Sequence, residues 1–198
     1  MNIEFLVYNP AMTERYNSYI GRQNLDFDKA YSKESGSKVI QIIHAAEAVS
    51  KSLKSSPDNH GKSSFLLVIT KKGNLPVKNL VIGDANEIHD FEDSLVKVNV
   101  NANVLKANPN AKFSSEIFCR STETGDRRGI GALSVGEWIV SVYGFENTKM
   151  NAATLLGISF GSKLISYDEA EALAHDPRIN CVSEYMTHED LLTAPFLH

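Results

Sequence analysis

Two of the six histidines lie in sequence contexts in which the imidazole could bind a metal ion. His44 lies in an apolar repeat of helical spacing, with Ile40 and Ala48 one turn away on either side. An imidazole at the edge of such a stripe could ligate a heme iron. His89 is followed by three acidic residues within four positions, and one or two of these carboxylates could share a metal with it. The alternatives are a histidine hydrogen-bonded to a neighbour at position 44 and a solvated helix N-terminus, where acids are favoured, at position 89.

The segment CRSTETGDRRGIG, residues 119–131, is the candidate anion site. It combines Arg120, Arg127 and Arg128 with hydroxyl side chains and three glycines. Guanidinium groups and backbone amides are the donors with which proteins bind carboxylates and phosphates. The segment does not match the P-loop or the dinucleotide-binding fingerprint. A solvated connection between two buried strands is the alternative, and the sequence leaves both open.

Aromatic side chains of the last predicted hairpin could line a pocket. Because successive strand residues point to opposite faces, Tyr143 and Phe145 are predicted on one face and Trp138 on the other. We expect Tyr143 to contact a ligand. The two cysteines, Cys119 and Cys181, are far apart in the sequence, which favours buried, reduced thiols over a disulfide.

Length and composition limit the classes of protein. A chain of 198 residues, 42% hydrophobic and 22% charged, fits one globular domain. A net charge of -4 and a pI near 5.9 give no electrostatic reason to expect nucleic-acid binding, which usually uses a basic face. The first residues lack the apolar core of a secretory signal, and no stretch approaches the ~20 apolar residues of a membrane span. Together with reduced cysteines, these features predict a cytoplasmic protein that binds neither nucleic acid nor membrane.

The pattern of apolar residues predicts the elements that position these candidates. Residues 2–8 are typical of a strand, and residues 31–38 of a loop between an N-terminal arm and the main domain. From Lys38, with Ser37 as N-cap, apolar residues recur at helical spacing over about four turns. The sequence SFLLVITKKGNLPVKNLVI, residues 64–82, indicates two strands joined at a Gly-Asn turn.

Residues 88–107 fit two different structures. Valines alternate with polar residues from Val96 to Val104, which is typical of a strand. Apolar residues also recur at intervals of three and four, which is typical of a helix seam. These are Ile88, Phe91, Leu95, Val98, Ala102 and Leu105. The local sequence does not decide between the two.

The C-terminal half is predicted to contain a strand at 112–120 and a hairpin that turns at Gly136 and Glu137. A helix with internal glycines follows Phe145. Ser166 and Glu169 form a capping box at the start of a further helix that Pro177 would end, and residues 187–192 predict a last short helix.

The order of these elements resembles the small α/β family of GlcG and HbpS over residues 38–162. The resemblance rests on VIQIIHAAEAVSKSL, FLLVITKKGNLPVKNLVIGDA, EDSLVKVNVNANVLKAN and GIGALSVGEWIVSVYGF. Thr70 stands where the first strand of that family commonly ends in an acidic residue. The resemblance implies an α/β (α+β) fold with a profilin-like or PAS-like antiparallel sheet flanked by helices. It also implies a helix over 88–107, and heme as a ligand of His44.

We therefore predict an N-terminal arm at 1–37, a GlcG-like domain at 38–162 and a C-terminal helical extension at 163–198. The leading hypothesis is a small-molecule-binding protein, with heme as the implied cofactor and a homo-oligomeric assembly. One alternative is an enzyme that holds a small anionic metabolite through the loop at 120–131. The other is an interaction module that assembles through its terminal arms.

Overall fold

A computed structural model describes residues 4–7, 33–55, 62–73, 78–114, 116 and 131–176. Five strands and four α-helices lie within these ranges. In chain order they are β1 (Glu4–Val7), α1 (Lys33–Ser55), β2 (Phe65–Lys71), β3 (Lys78–Ile82), α2 (Phe91–Ala107), β4 (Ala132–Val135), β5 (Trp138–Tyr143), α3 (Thr148–Gly161) and α4 (Tyr167–Ala174). A short 3-10 helix, Ala85–Glu87, lies between β3 and α2.

The strands form one sheet in the order β1, β3, β2, β5, β4. β1 is parallel to β3, and every other neighbouring pair is antiparallel. β2 is the central strand, and all of its residues are buried. Burial on both faces explains why its sequence, FLLVITK, shows no alternation of apolar and polar residues. The predicted class, an antiparallel sheet flanked by helices, is confirmed.

Helices cover both faces of this sheet. One face, which we call the three-helix face, carries Phe65, Leu67 and Ile69 of β2 and shares an apolar core with α1, α3 and α4. The opposite face, which we call the α2 face, carries Leu66 and Val68 of the same strand and packs against α2. Because side chains alternate along a strand, every second residue of each strand belongs to the same face. Each face therefore has its own apolar core, and burial of both contributes at about 25 cal/mol per Å² of apolar surface.

α2 is a helix, so the strand interpretation of residues 88–107 is wrong. The helix follows Asp90, whose carboxylate accepts a hydrogen bond from the N–H of Asp93 at 3.3 Å. The helical seam faces the sheet and is buried at Val98, Ala102 and Leu105. Burial of this seam outweighs the strand propensity of valine. The alternating pattern therefore leaves Val96 and Val100 on the outer surface of α2.

α1 begins earlier than its sequence predicts. It starts at Lys33 rather than Lys38, so residues 33–38 are helical and Ser37 is not the N-cap. A glycine inside a helix costs only about 1 kcal/mol. Burial of the apolar stripe further along α1 offsets the cost of the glycine. The predicted loop at residues 31–38 is therefore wrong over residues 33–38, which are helical.

The predicted strand at 112–120 does not form in the part that the structure describes. Phe113 makes only an isolated antiparallel bridge to Leu133. The hydroxyl of Ser114 then accepts hydrogen bonds from two backbone N–H groups at the start of β4, at 3.3 and 3.0 Å. A side chain thus replaces the next pair of the ladder. The remaining positions, 115 and 117–120, lie outside the described residues.

Tyr143 and Phe145 lie on opposite faces of the sheet, contrary to their predicted alternation. Tyr143 is on the α2 face, whereas Phe145 packs on the three-helix face with its ring 6.0 Å from that of Phe65. Trp138 shares the face of Phe145. β5 ends at Tyr143, and Gly144 then adopts φ 156°. The change of direction at this glycine explains why simple alternation fails.

Other predictions from the C-terminal half are confirmed. The β4 to β5 hairpin turns at Gly136, where φ is 57°. A helix follows Phe145, and Ser166 and Glu169 form the predicted capping box of α4. Cys119, Cys181 and residues 187–192 lie outside the described residues. Among the helices that the structure describes, none is long and apolar enough to cross a membrane.

Candidate functional site

His44 lies on the outer side of α1. The buried side of this helix is formed by Val39, Ile42, Ile43, Ala46 and Val49, whereas the imidazole is exposed. Ile40, one turn earlier, is 54% exposed beside it. The structure therefore presents His44 to a ligand on the surface and not in the space between helix and sheet. It also separates His44 from Tyr143, which lies on the α2 face.

His89 and Tyr143 approach each other at the N-terminal end of α2. The N–H of His89 donates to the carbonyl oxygen of Gly144, the residue after Tyr143, at 2.9 Å. The hydroxyl of Ser94 donates to the carbonyl oxygen of His89 at 2.5 Å. Asp90 then adopts a positive φ of 39° as the helix begins. These contacts fix the backbone of His89, while its imidazole is exposed.

Lys97 lies between Asp93 and Tyr143. Its Nζ is 2.5 Å from the Asp93 carboxylate, one helical turn away, and 5.2 Å from the centre of the Tyr143 ring. The ammonium group can thus form an ion pair and a cation–π contact at once. The hydrogen bond with Asp93 raises the pKa of Lys97 above its ordinary value of 10.5, and Tyr143 adds to this rise. Lys97 is therefore a positive charge held at the rim of the α2 face.

Two of the acidic residues next to His89 make contacts within α2. Within the described residues, no group of three or more His, Cys, Asp or Glu side chains is placed to hold a metal ion. Asp90 caps α2, and Asp93 pairs with Lys97. Metal binding by His89 with fewer protein ligands stays a prediction. The anion site also stays a prediction, because Arg120, Arg127 and Arg128 lie outside the described residues.

A second group of polar side chains, not predicted from the sequence, lies inside the α2 face. Asn79 of β3, Thr70 of β2 and Ser134 of β4 occupy positions of this face and are buried. Asn79 pairs with Val68, two residues before Thr70, so Asn79 and Thr70 are diagonal neighbours about 7–8 Å apart. Ser134 lies two strands from Thr70, across Ile139. We call Asn79, Thr70 and Ser134 the polar row.

The hydrogen bonding of the polar row is incomplete. Asn79 is 2% exposed and Ser134 is 7% exposed, and neither Asn79 Oδ1 nor Ser134 Oγ has a hydrogen-bond partner in the described part of the protein. The Thr70 hydroxyl reaches a carbonyl oxygen only at 3.5 Å, which is longer than a normal hydrogen bond. Folded proteins leave few buried polar groups unpaired, and each costs about 1–3 kcal/mol. The polar row therefore offers uncharged acceptors and hydroxyls to a further binding partner.

Ser141 of the sheet and Asn99 of α2 have hydrogen-bond partners. Ser141 donates its hydroxyl to the carbonyl oxygen of Gly131 at 2.7 Å. The side-chain amide of Asn101 lies so close to Gly131 that a Cβ at this glycine would collide with it. Asn99 donates its side-chain N–H to the carbonyl oxygen of Leu95 at 2.9 Å. Among the described residues, the buried side-chain oxygens of the α2 face that lack a hydrogen-bond partner are those of Asn79 and Ser134.

The sequence gives only a weak signal for the polar row. Each of FLLVITK, KNLVI and ALSV contains a polar residue in a mainly apolar strand. The sheet register is needed to show that Thr70, Asn79 and Ser134 lie on one face.

Comparisons with known proteins identify no relative, because no family model, curated protein or solved structure matches the chain. The geometry defines the class as an α+β domain with helices on both faces of a mainly antiparallel sheet. The resemblance to GlcG and HbpS, and the profilin-like form of the fold, stay predictions.

Proposed function

We propose that the protein binds a small, uncharged, polar molecule on the α2 face of the sheet, where the ligand contacts Asn79 and Thr70. The observation that carries this proposal is the unpaired Oδ1 of Asn79, a buried acceptor on a strand of the α2 face. A ligand N–H or O–H group would satisfy this oxygen. Binding would then recover the free energy that the unpaired group costs in the unliganded protein.

The polar row favours a neutral ligand over an anion. Its members are an amide and two hydroxyls, and a charged group buried beside them would lack a charged partner. Asn79 supplies an acceptor, and the Thr70 hydroxyl can donate or accept. A ligand with a donor and an acceptor on the same carbon or on adjacent carbons, such as a carboxamide, a nucleobase edge or a diol, fits this pair of neighbours.

Native mass spectrometry of the purified protein, followed by thermal unfolding with a panel of amides, nucleobases and polyols, tests the proposal. A ligand that binds the folded state but not the unfolded state stabilises the protein, so we expect at least one compound to raise Tm. In Asn79→Leu the unpaired oxygen is absent, so the ligand response should disappear without loss of Tm in the unliganded protein. A response that persists in Asn79→Leu would show that the ligand binds elsewhere.

Thr154→Val is the matched control for this experiment. The Thr154 hydroxyl in α3 is also buried and has no hydrogen-bond partner among the described residues, but α3 covers the three-helix face. Removal of this hydroxyl should leave the ligand-induced rise in Tm unchanged. A ligand response that both variants lose would point to a general effect on stability and not to contact with Asn79.

Heme binding through His44 is the second candidate function. The exposed imidazole and the exposed Ile40 one turn away provide an iron ligand and an apolar contact for the porphyrin on the outer side of α1. Heme titration followed through the Soret band tests it. A saturable shift in the wild type that His44→Ala loses and His89→Ala keeps would support this function, and a broad unsaturable band in the wild type would refute it.

A further inference from the structure

An apolar strip lies on the outer surface of α2. Val96 and Val100, one turn apart, are 60% and 44% exposed. Exposed Ala107 lies on the same side of the helix nearer its C-terminal end, beyond the polar and exposed Asn103. The third large apolar side chain exposed in the described structure is Ile40 on α1. Val96 and Val100 are therefore adjacent exposed apolar side chains on the side of α2 that faces away from the core.

Lys97, in the middle of α2, pairs with Asp93, and the other charged residues of the helix lie towards its two ends. Glu92 and Asp93 lie in the first turn after the N-cap Asp90, and Lys106 lies in the last turn. Asp90 and Lys106 are each eight residues from Val98, which is about 12 Å along the helix axis. A second α2 that runs antiparallel, centred at this residue, would bring each acidic end level with a basic end.

We propose that two copies of this chain associate through the outer surface of α2, as an antiparallel helix pair whose two-fold axis crosses that surface level with Val98. Val96 of one copy would pack against Val100 of the other, so the same surface is used by both copies, as such an axis requires. Glu92 and Lys106 are about 40° apart around the helix at 100° per residue, and thus lie on the same flank of the strip. A two-fold axis perpendicular to both helices places this flank of both copies on the same side of the interface. Glu92 of each copy would therefore reach Lys106 of the other.

The proposed contact is small. A contact confined to one pair of helices lies at or below the lower end of the range of about 1,200–2,000 Å² that stable interfaces bury. We therefore expect a dimer that dissociates on dilution, with a Kd in the micromolar to millimolar range. This inference is independent of the proposed ligand, because the polar row lies on the opposite side of α2 from the strip.

Sedimentation velocity over a wide range of concentrations tests the inference. The wild type should change from monomer to dimer, and Val100→Glu should weaken association at least about tenfold because it places two like charges beside the axis. Ile40→Glu is the matched control, since it removes an exposed apolar side chain from α1, and it should associate as the wild type does. A wild type that remains monomeric throughout, or a Val100→Glu variant that associates normally, would overturn the proposal.

A charge-reversal pair tests the antiparallel geometry. Glu92→Lys and Lys106→Glu should each associate more weakly than the wild type, because each pairs like charges at both ends of the interface. When the two variants are mixed, opposite charges face each other at both ends, and association should return to within about threefold of the wild type. A mixture that associates no better than the separate variants would rule out this arrangement.

Discussion

Ser134 and Ser141 face the same side of the sheet on adjacent strands. The Ser141 hydroxyl donates to the carbonyl oxygen of Gly131 at 2.7 Å, whereas that of Ser134 has no partner among the residues that the structure describes. Both residues are buried. Ser141→Ala should therefore lower the free energy of unfolding by about 1 kcal/mol, whereas Ser134→Ala should leave it unchanged or raise it.

Urea denaturation of both variants without added ligand measures this difference. The pair controls for the loss of one hydroxyl from the same face and for the change in side-chain volume. Equal losses of stability would show that Ser134 has a hydrogen-bond partner in solution.

Gly144 and Gly136 both have positive φ but differ in their surroundings. A Cβ at Gly144 would lie 2.7 Å from the Cα of Phe65, a backbone atom of the central strand, whereas a Cβ at Gly136 would meet no atom within 4 Å. Gly136→Ala should cost about 1–2 kcal/mol from backbone strain. Gly144→Ala should cost more, because β2 must also move.

Thermal unfolding of the two variants measures the additional cost. Similar Tm values would mean that the sheet can move away from a side chain at position 144. In that case the requirement for a glycine at position 144 would not come from the close approach to Phe65.

The contact between Lys97 and Asp93 predicts a dependence of stability on alkaline pH. Because the folded protein raises the pKa of Lys97 above 10.5, the contribution of this contact is complete below pH 10.5 and is lost as the pH rises through the folded value. The difference in unfolding free energy between the wild type and Lys97→Gln should therefore be constant near neutral pH and shrink above pH 10.5.

An NMR titration of the lysine side chains tests the cause directly. In Asp93→Asn the pKa of Lys97 should fall towards 10.5, since the hydrogen bond with Asp93 is the largest cause of the rise. A smaller fall is expected in Tyr143→Phe. A pKa that does not change in Asp93→Asn would contradict the proposed cause.

The anion site predicted at residues 119–131 can be tested with inorganic phosphate. Arg127→Ala should weaken phosphate binding about tenfold or more, because a charge-assisted hydrogen bond contributes about 1.5–3 kcal/mol. Lys51→Ala, which removes an exposed cation from α1, is the control and should bind phosphate as the wild type does. Isothermal titration calorimetry gives both affinities. Phosphate binding that Arg127→Ala leaves intact would remove the basis for the enzyme hypothesis.

Local sequence signals were sufficient where a short stretch contains all that its structure requires. The capping box of Ser166 and Glu169 spans four residues, and the turn at Gly136 needs a glycine because φ is positive there. The apolar stripe of α1 has the helical period along its own length. The capping box, the turn and the main part of α1, although not its start, were predicted correctly because their determinants are neighbours in the chain.

The candidate site was less predictable. Tyr143 and His89 were chosen from the sequence, and the structure places their backbones together through Gly144. Asn79, Thr70 and Ser134 were missed, since a polar residue in an apolar strand has no local feature that marks it as unpaired. The lack of a partner for Asn79 Oδ1 depends on every group that folding brings within hydrogen-bonding distance of it.

The sequence by itself determined the α+β class, the helical period of α1, the hairpins and the cap of α4, because these follow from periodicity and turn chemistry within a few residues. The tertiary structure alone decided that residues 91–107 are a helix and not a strand. The valines of this segment satisfy both patterns, and only burial of Val98, Ala102 and Leu105 against the sheet separates the two by free energy. Sheet register likewise decided that the polar row shares one face, since residues from three strands meet only after the strands have paired.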